Sequence, residues 1–280
     1  MSEQGQPWQP TIVSIQSQVV FGCAGNNAAV PLLQKLGATV YAVPTVLLSN
    51  TPHYPSIGGI DIAPDTVEQL LTRLLERVPA KNLTAILTGY IRDAATATVV
   101  ASFIDRVRND NPGIIVLVDP VMGDTDLGLF IPEEAAHCVM DKLVTRADIT
   151  TPNLFEARLI VGKPDVGAED LQSVLLNSGA GISVMTGLGL EQAASEVQTL
   201  AFERGQCFRA SSPRLDIRPT GTGDLLAAAF LFHWLDRRDV TFALRESVAN
   251  VFSLLQQAVD GKLQELEPAR LKLQSSSMTQ

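Results

Sequence analysis

The segment Arg-Pro-Thr-Gly-Thr-Gly-Asp at residues 218–224 places two glycines and an acid directly before a long apolar stretch. The apolar stretch predicts a helix that begins here, and the glycines allow the backbone to approach a ligand closely. At such a helix start, the free N–H groups of Gly221, Thr222 and Gly223 form a site for an anion such as phosphate. Asp224 could accept a proton from a hydroxyl that attacks this anion, or it could serve only as a structural cap of the helix. The segment alone leaves both roles open.

A second pair of polar residues, Asn153 and Glu156, stands three positions apart at the start of another predicted helix. Their oxygens suit Mg²⁺, which proteins usually bind through waters and substrate phosphates. The same spacing is typical of a capping box, in which the two side chains only close the helix end. Asp119 follows a buried apolar strand and is open to the same two interpretations, a site carboxylate or a turn residue.

Considered together, these residues favour phosphoryl transfer to a hydroxyl group. The sequence has no GxxxxGK[ST] segment, and the GTG at residues 221–223 is followed by an acid rather than by the further glycine of a dinucleotide site. An anion site, a magnesium site and acids at strand ends are the parts with which enzymes position and neutralise a transferring phosphoryl group.

Short β-branched segments alternate with helical patterns and would bring these residues together. Strands are predicted at 11–17, 39–49, 83–90, 113–120, 147–153 and 181–187, and helices near 27–36, 66–77, 94–109, 133–142, 154–161 and 168–177. Strands that are apolar throughout are typical of a parallel sheet covered by helices on both faces. Residues 197–212 predict an antiparallel hairpin at one edge, and helices from Asp224 and over 241–259 complete the α/β fold. Ligands bind beyond the carboxyl ends of such strands, where five polar residues are expected: Ser17, Asp119, Thr151, Asn153 and Thr186.

Composition limits the possible functions. The chain has 280 residues, is 46% hydrophobic and carries a formal charge of −9, so we expect one domain over 1–280 with flexible ends at 1–10 and 270–280. So acidic a chain is not expected to bind nucleic acid or an anionic membrane surface. Its three cysteines are far apart, which argues against disulfides and a zinc site. We find no signal peptide or membrane-spanning stretch and expect a cytoplasmic protein.

Six motifs, in this order, resemble those of the pyridoxal kinases in the ribokinase-like superfamily: SIQSQVVFGCAGN, VPTVLLSNTPHY, LTGYI, VDPVMGD, TPNLFE and TGTGD. The resemblance extends from about residue 11 to about residue 260. GTGD marks the superfamily as a whole, whereas the first two motifs are much more specific. The resemblance implies a ribokinase-like fold and ATP-dependent phosphorylation of the 5′-hydroxyl of pyridoxal, and also of pyridoxine and pyridoxamine. It further implies Mg²⁺, often with K⁺ or Na⁺, and a homodimer.

The resemblance also assigns roles to individual residues. Asp224 would be the general base, and Gly221, Thr222 and Gly223 would form the anion hole. The substrate would contact Ser17, His53 and Tyr90 besides Asp224. MgATP would lie against Asp119, Thr151, Asn153, Glu156, Thr186, Gly221 and Gly223, with Asp119 and Glu156 at the metal.

Several of these roles have simpler alternatives. His53 could be an ordinary loop residue and Tyr90 a core residue, while Cys23 is expected to pack rather than to react. Residues 123–134 predict a flap over ATP or a plain surface loop. Thr220 stands where some relatives have a lysine that holds the aldehyde, and Phe130 where some have a tyrosine over the nucleotide; both departures leave the phosphoryl-transfer residues intact.

Two other functions stay open. A hydroxymethylpyrimidine kinase acts on a similar small ring with a hydroxymethyl group. A non-catalytic protein that stores pyridoxal phosphate would need no base, and the presence of Asp224 argues against it.

Overall fold

The structure is a computed structural model that describes residues 8–51, 53–163, 178–188, 195–217, 219–263 and 265–272. In these residues, nine strands form one sheet in the order β11-β10-β9-β8-β5-β4-β1-β2-β3, and two more form a separate hairpin. The strands are β1 (Thr11–Val19), β2 (Thr39–Leu48), β3 (Gly59–Asp61), β4 (Ala85–Thr88), β5 (Ile115–Val118), β6 (Gly123–Asp124), β7 (Gly128–Leu129), β8 (Ile149–Thr150), β9 (Ile182–Leu188), β10 (Glu196–Glu203) and β11 (Gln206–Pro213).

The centre of the sheet is parallel and both of its edges are antiparallel. Strands β2, β1, β4, β5, β8 and β9 pair in parallel, which confirms the prediction from their continuous apolar character. The β10–β11 hairpin confirms the predicted antiparallel edge and turns at Arg204 and Gly205, both with positive φ. Strand β3, antiparallel to β2 at the other edge, was not predicted. Strand β8 is shorter than predicted and covers only Ile149–Thr150.

Seven α-helices connect or cover the strands in the described residues: α1 (Asn26–Leu36), α2 (Pro64–Arg77), α3 (Ala94–Asp110), α4 (Glu133–Cys138), α5 (Leu154–Val161), α6 (Thr222–Arg237) and α7 (Val240–Gly261). The predicted helix at 133–142 is divided, because a π-turn over Val139–Leu143 follows α4. The predicted helix at 168–177 lies outside the described residues. So do residues 1–7 and 273–280 of the expected flexible ends.

The helices form layers on both faces of the sheet. Ile12 of β1 packs in a core cluster with Leu32 of α1 and Phe230 of α6. The next residue, Val13, packs in the opposite cluster with Leu71 of α2 and Ile104 of α3. Because successive strand residues face opposite sides, both faces of β1 are buried, and Gln16, Ser17 and Gln18 lie near its carboxyl end. In the described residues, no helix is long and apolar enough to cross a membrane.

Candidate active site

The glycine-rich segment forms the start of α6, as its sequence predicts. Gly221 is the N-cap residue, with φ 82°, and the helix begins at Thr222. A Cβ atom on Gly221 would lie 2.1 Å from the carbonyl oxygen of Cys23, so only glycine fits against the loop that follows β1. Cys23 is buried in the core, where burial raises the pKa of its thiol to about 12, so its expected packing role is confirmed.

Asp224 does not occupy the cap position and is held by another part of the chain. Its carboxylate accepts a hydrogen bond from the backbone N–H of Gly25, at the start of α1. Burial raises the pKa of Asp224 to about 6, and the hydrogen bond from Gly25 opposes this rise. A carboxylate with such a pKa is mostly ionised at neutral pH and more basic than an exposed aspartate, as a general base requires.

Ser17 lies against the same glycine. Gly25 has φ 52° and ψ −127°, and a Cβ atom there would come within 2.3 Å of the Ser17 hydroxyl oxygen. Gly25 therefore brings together Ser17 and Asp224, two residues that the resemblance predicts at the substrate. Gly25 is not among the residues predicted for the site, although a glycine directly before the Asn-Asn start of a helix is a recognisable signal of a close backbone approach.

A buried hydrogen-bond network joins the carboxyl-terminal half of β1 to the start of α1, next to Gly25. The Ser14 hydroxyl donates to Asn26 Oδ1 over 2.8 Å, and Gln16 Nε2 donates to the Ser14 hydroxyl over 2.8 Å. Asn26 Nδ2 donates to the carbonyl oxygen of Gln16 over 3.2 Å. Since all three side chains are buried, their satisfied polar groups hold β1 and the start of α1 in one arrangement.

The second predicted group of residues lies at the carboxyl ends of β5 and β8. Glu156 Oε1 accepts from the backbone N–H of Met122 over 2.8 Å, and its Oε2 from the N–H of Asn153 over 3.0 Å. Asn153 Oδ1 accepts from the N–H of Glu156 over 3.0 Å, so the capping box is present. Asn153 Nδ2 also donates to the carbonyl oxygen of Gly123 over 2.8 Å, which ties the cap to the predicted flap.

The acids of this region are buried close together, which disfavours their ionised forms. Burial raises the pKa of Glu156 to about 7, against hydrogen bonds from three backbone N–H groups. Burial raises the pKa of Asp119 well above its usual value, and the charges of Glu156 and Asp224 add to the rise. In the described residues no lysine or arginine forms an ion pair with these three acids.

This arrangement fits a magnesium ion that is held mainly through water and phosphate. In the described part of the chain, no three acidic, histidine or cysteine side chains are close enough to hold an ion among themselves. Both oxygens of Glu156 already accept backbone hydrogen bonds. Asp119 and Glu156 nevertheless supply carboxyl groups without a cationic partner, and a nearby cation would favour their ionised forms, which suits the partly hydrated state in which Mg²⁺ is usually bound.

Two threonines expected near the nucleotide lie at the same edge of the sheet. The hydroxyl of Thr151 is buried near Asp119 and lowers the pKa of that acid, yet makes no well-formed hydrogen bond in the described residues. Thr186, within β9, pairs with Asn153, beyond the end of β8, through an isolated parallel bridge. The structure thus brings Asp119, Thr151, Asn153 and Thr186 to one edge, as predicted, together with Glu156 of α5.

The flap segment contains a short hairpin, and its end lies near Tyr90. Strands β6 and β7 pair across a turn in which Asp124 Oδ1 accepts from the N–H groups of Asp126 and Leu127. Phe130 lies 6.5 Å from Tyr90 between ring centroids, and Tyr90 also packs at the edge of the core. The segment is therefore not a plain loop, and it reaches one of the predicted substrate residues.

His53 is the predicted site residue that the structure does not join to the others. Its side chain is exposed between β2 and β3, and no hydrogen bond or ion pair from it is found within the described ranges. Its neighbour Tyr54, by contrast, donates a hydrogen bond from its hydroxyl group to Glu265 in the segment after α7. Glu265 had no signal in the sequence, because Tyr54 and Cys23, the partners in its two shorter hydrogen bonds, are 211 and 242 positions away.

The chain is similar to known kinases along most of its length. Residues 20–266 match the family model described as phosphomethylpyrimidine kinase. The pyridoxine/pyridoxal/pyridoxamine kinase of Bordetella avium is 39% identical over 235 residues, 82% of this chain and 79% of that protein. Pyridoxal kinase PdxY of Leifsonia xyli is 33% identical over 91% of this chain and 92% of its own length. The structure of pyridoxal kinase from Leishmania donovani in complex with ADP and pyridoxamine superposes with a TM-score of 0.83 at 26% identity, covering 93% of each chain.

Proposed function

We propose the reaction of this chain from its family: it belongs to the phosphomethylpyrimidine kinase family and within it to the pyridoxal kinases of ribokinase-like fold. In this reaction the chain transfers the γ-phosphoryl group of ATP to the 5′-hydroxyl of pyridoxal. Pyridoxine and pyridoxamine are proposed as further substrates. The observation that carries the proposal is the position of Asp224, whose carboxylate is held by the N–H of Gly25 beside both Ser17 and the start of α6.

In the proposed reaction the 5′-oxygen attacks the γ-phosphorus as the bond from that phosphorus to the leaving ADP oxygen breaks. Asp224 accepts the hydroxyl proton, and the N–H groups of Gly221, Thr222 and Gly223 stabilise the charge on the transferring phosphoryl group. Direct in-line transfer is favoured because these groups mainly position and neutralise the reactants, and this accounts for most of the catalysis of phosphoryl transfer.

The remaining residues are proposed to hold the two substrates. Asp119 and Glu156 would hold Mg²⁺, which when bound neutralises charge on the phosphates of ATP. The unsatisfied hydroxyl of Thr151 supports a phosphate contact there, and Thr186 and Asn153 lie beside it. Ser17 would hydrogen-bond the pyridine ring, with Tyr90 and His53 also at the substrate.

A direct test measures ADP release with pyridoxal, pyridoxine, pyridoxamine and hydroxymethylpyrimidine, each with and without Mg²⁺ and with K⁺ or Na⁺. We expect Mg²⁺-dependent turnover of pyridoxal, with the phosphorylated product identified by mass spectrometry. Turnover of the pyrimidine alone would move the activity to the second candidate, which the description of the matching family model favours. Binding of pyridoxal without ADP release would instead indicate the storage protein.

The chain is further proposed to act as one domain, in the cytoplasm where ATP is available, and as a homodimer. Strand β3 ends the sheet, and Ile60 in it stands opposite Leu47 of β2 with 61% of its surface exposed. Val20, 77% exposed, follows β1 beside them. An exposed strand edge with apolar side chains is a surface that proteins usually cover, which supports a second copy there.

Replacing Ile60 by lysine tests this surface. We expect light scattering to give about twice 30.0 kDa for the unmodified chain and 30.0 kDa for Ile60→Lys, because a buried lysine would lack a partner. Val259→Lys on α7, which is also an exposed apolar position, is the control and should stay dimeric. A dimer of Ile60→Lys with unchanged stability would place the interface elsewhere.

A further inference from the structure

We infer that Glu265 is a positioning residue. Its carboxylate connects the segment of His53 and Tyr54 to the loop at Cys23, which packs against Gly221 of the proposed anion hole. Glu265 Oε1 accepts a hydrogen bond from the hydroxyl of Tyr54, and its Oε2 accepts one from the backbone N–H of Cys23 over 3.1 Å. The Thr220 hydroxyl lies 3.5 Å from the same Oε2. One side chain from the segment after α7 thus contacts three separate parts of the chain.

Each of the three contacts lies next to a residue of the proposed site. The Cys23 carbonyl packs against Gly221, and Cys23 is two positions before Gly25, which holds Asp224. Thr220 directly precedes Gly221, and Tyr54 directly follows His53. The carboxylate therefore fixes the segment that contains Tyr54 relative to the segment at Thr220 and Gly221.

The charge of Glu265 is directed toward these contacts and not toward a cation. Within the described ranges Glu265 forms no ion pair with lysine, arginine or histidine, and three hydrogen-bond donors share its carboxylate, the longest contact being that of Thr220. Hydrogen bonds to an ionised acceptor are stronger than neutral ones. Phe21, which contacts Tyr54 edge-on at 5.6 Å between ring centroids, supports the same arrangement from the loop after β1.

The charge of Glu265 affects the pKa of two neighbouring groups, the Tyr54 hydroxyl and the Cys23 thiol. The hydrogen bond to Glu265 is the largest cause of the raised pKa of Tyr54. The raised pKa of Cys23 has burial as its main cause, followed by the charges of Asp224 and Glu265. Removal of the Glu265 charge should therefore be visible at both side chains without any catalytic turnover.

The kinetic test, which rests on the proposed function, uses Glu265→Gln, Tyr54→Phe and the double variant. We expect KM for pyridoxal to rise about 5- to 20-fold in each, the scale of one charge-assisted hydrogen bond, with kcat changed by less than about threefold. The double variant should be no worse than Glu265→Gln alone, because removal of the Glu265 charge already weakens the contact that Tyr54 makes. Glu267→Gln is the matched control on the same segment, since Glu267 pairs with Arg270 instead, and should leave KM unchanged.

A second measurement is independent of turnover. Alkylation of Cys23 by iodoacetamide, followed by peptide mass spectrometry with exposed Cys207 as the internal reference, should be at least about fivefold faster in Glu265→Gln. Tyr54→Phe should give a smaller increase, because it frees the loop but keeps the charge. Should the unmodified protein fail to phosphorylate pyridoxal, this labelling still tests Glu265 by itself. Unchanged labelling in a folded Glu265→Gln, or in Tyr54→Phe if the former does not fold, overturns the inference.

Discussion

Replacement of Asp224 by asparagine is expected to lower kcat for pyridoxal by about 10²- to 10³-fold, the usual contribution of a general base. KM for pyridoxal and for ATP should change by less than about threefold, because asparagine keeps the shape of the side chain and can still accept the hydrogen bond from Gly25. Steady-state kinetics of the purified variant give both values.

The same substitution should not destabilise the protein. The pKa of Asp224 is raised to about 6 in the folded state, so ionising this group at neutral pH costs stability, and this cost grows as the pH rises from about 4 to about 6. Asparagine carries no charge to bury, and we expect Asp224→Asn to melt at the same temperature or a few degrees higher. A thermal melt at pH 7 and at pH 5 tests this, since the gain should shrink at the lower pH.

The activity of the unmodified enzyme should have the opposite pH dependence. The base must be ionised, so kcat/KM for pyridoxal should be level above about pH 7 and fall about tenfold per pH unit below a pKa near 6. Asp236→Asn is the control on the same helix, because Asp236 lies on the surface beside Arg237. A folded Asp224→Asn with near-normal kcat would refute the role of the base.

Much of the fold is predictable because its strands are apolar on both faces. Strands β1, β2, β4, β5 and β9 are long or strongly apolar, and the sequence locates each to within about two residues of its ends. The short strand β3 could not be found in this way, since all three of its residues are exposed and only backbone hydrogen bonds to β2 define it. The division of the helix after Cys138 likewise has no sequence signal, because Val139 and Leu143 continue the buried apolar positions of a helix.

The site is predictable where its residues follow strand ends or begin helices, and not where tertiary contacts create it. Asp119, Asn153 and Glu156 follow adjacent strands of the sheet, so topology alone brings them together. The backbone N–H of Gly25 that holds Asp224 comes from a segment about 200 positions away, and Glu265 is 242 positions from Cys23. Local patterns carry no information on such pairs. His53, which the resemblance places at the substrate, stays a prediction.

Replacement of Gly221 by alanine is expected to abolish most activity through the backbone rather than through a lost functional group. The φ of 82° at this position costs about 1–2 kcal/mol for a residue with a Cβ atom. The new Cβ atom would also lie 2.1 Å from the Cys23 carbonyl oxygen, so one of the two loops must move. We expect kcat to fall by more than about 10²-fold, because either movement misaligns the anion hole with Asp224, and positioning is most of this catalysis.

Gly37→Ala separates the steric effect from the backbone strain. Gly37 ends α1 with φ 111°, and a Cβ atom there would meet nothing within 4 Å. Both variants should therefore lose stability through the positive φ, but Gly221→Ala should lose about 1–3 kcal/mol more in urea unfolding. Gly37→Ala should keep kcat within about twofold, since its strain lies away from the site. A kcat of Gly221→Ala equal to that of the unmodified enzyme would contradict this prediction. It would mean that the close approach of Gly221 to the Cys23 carbonyl does not align the phosphoryl group with Asp224.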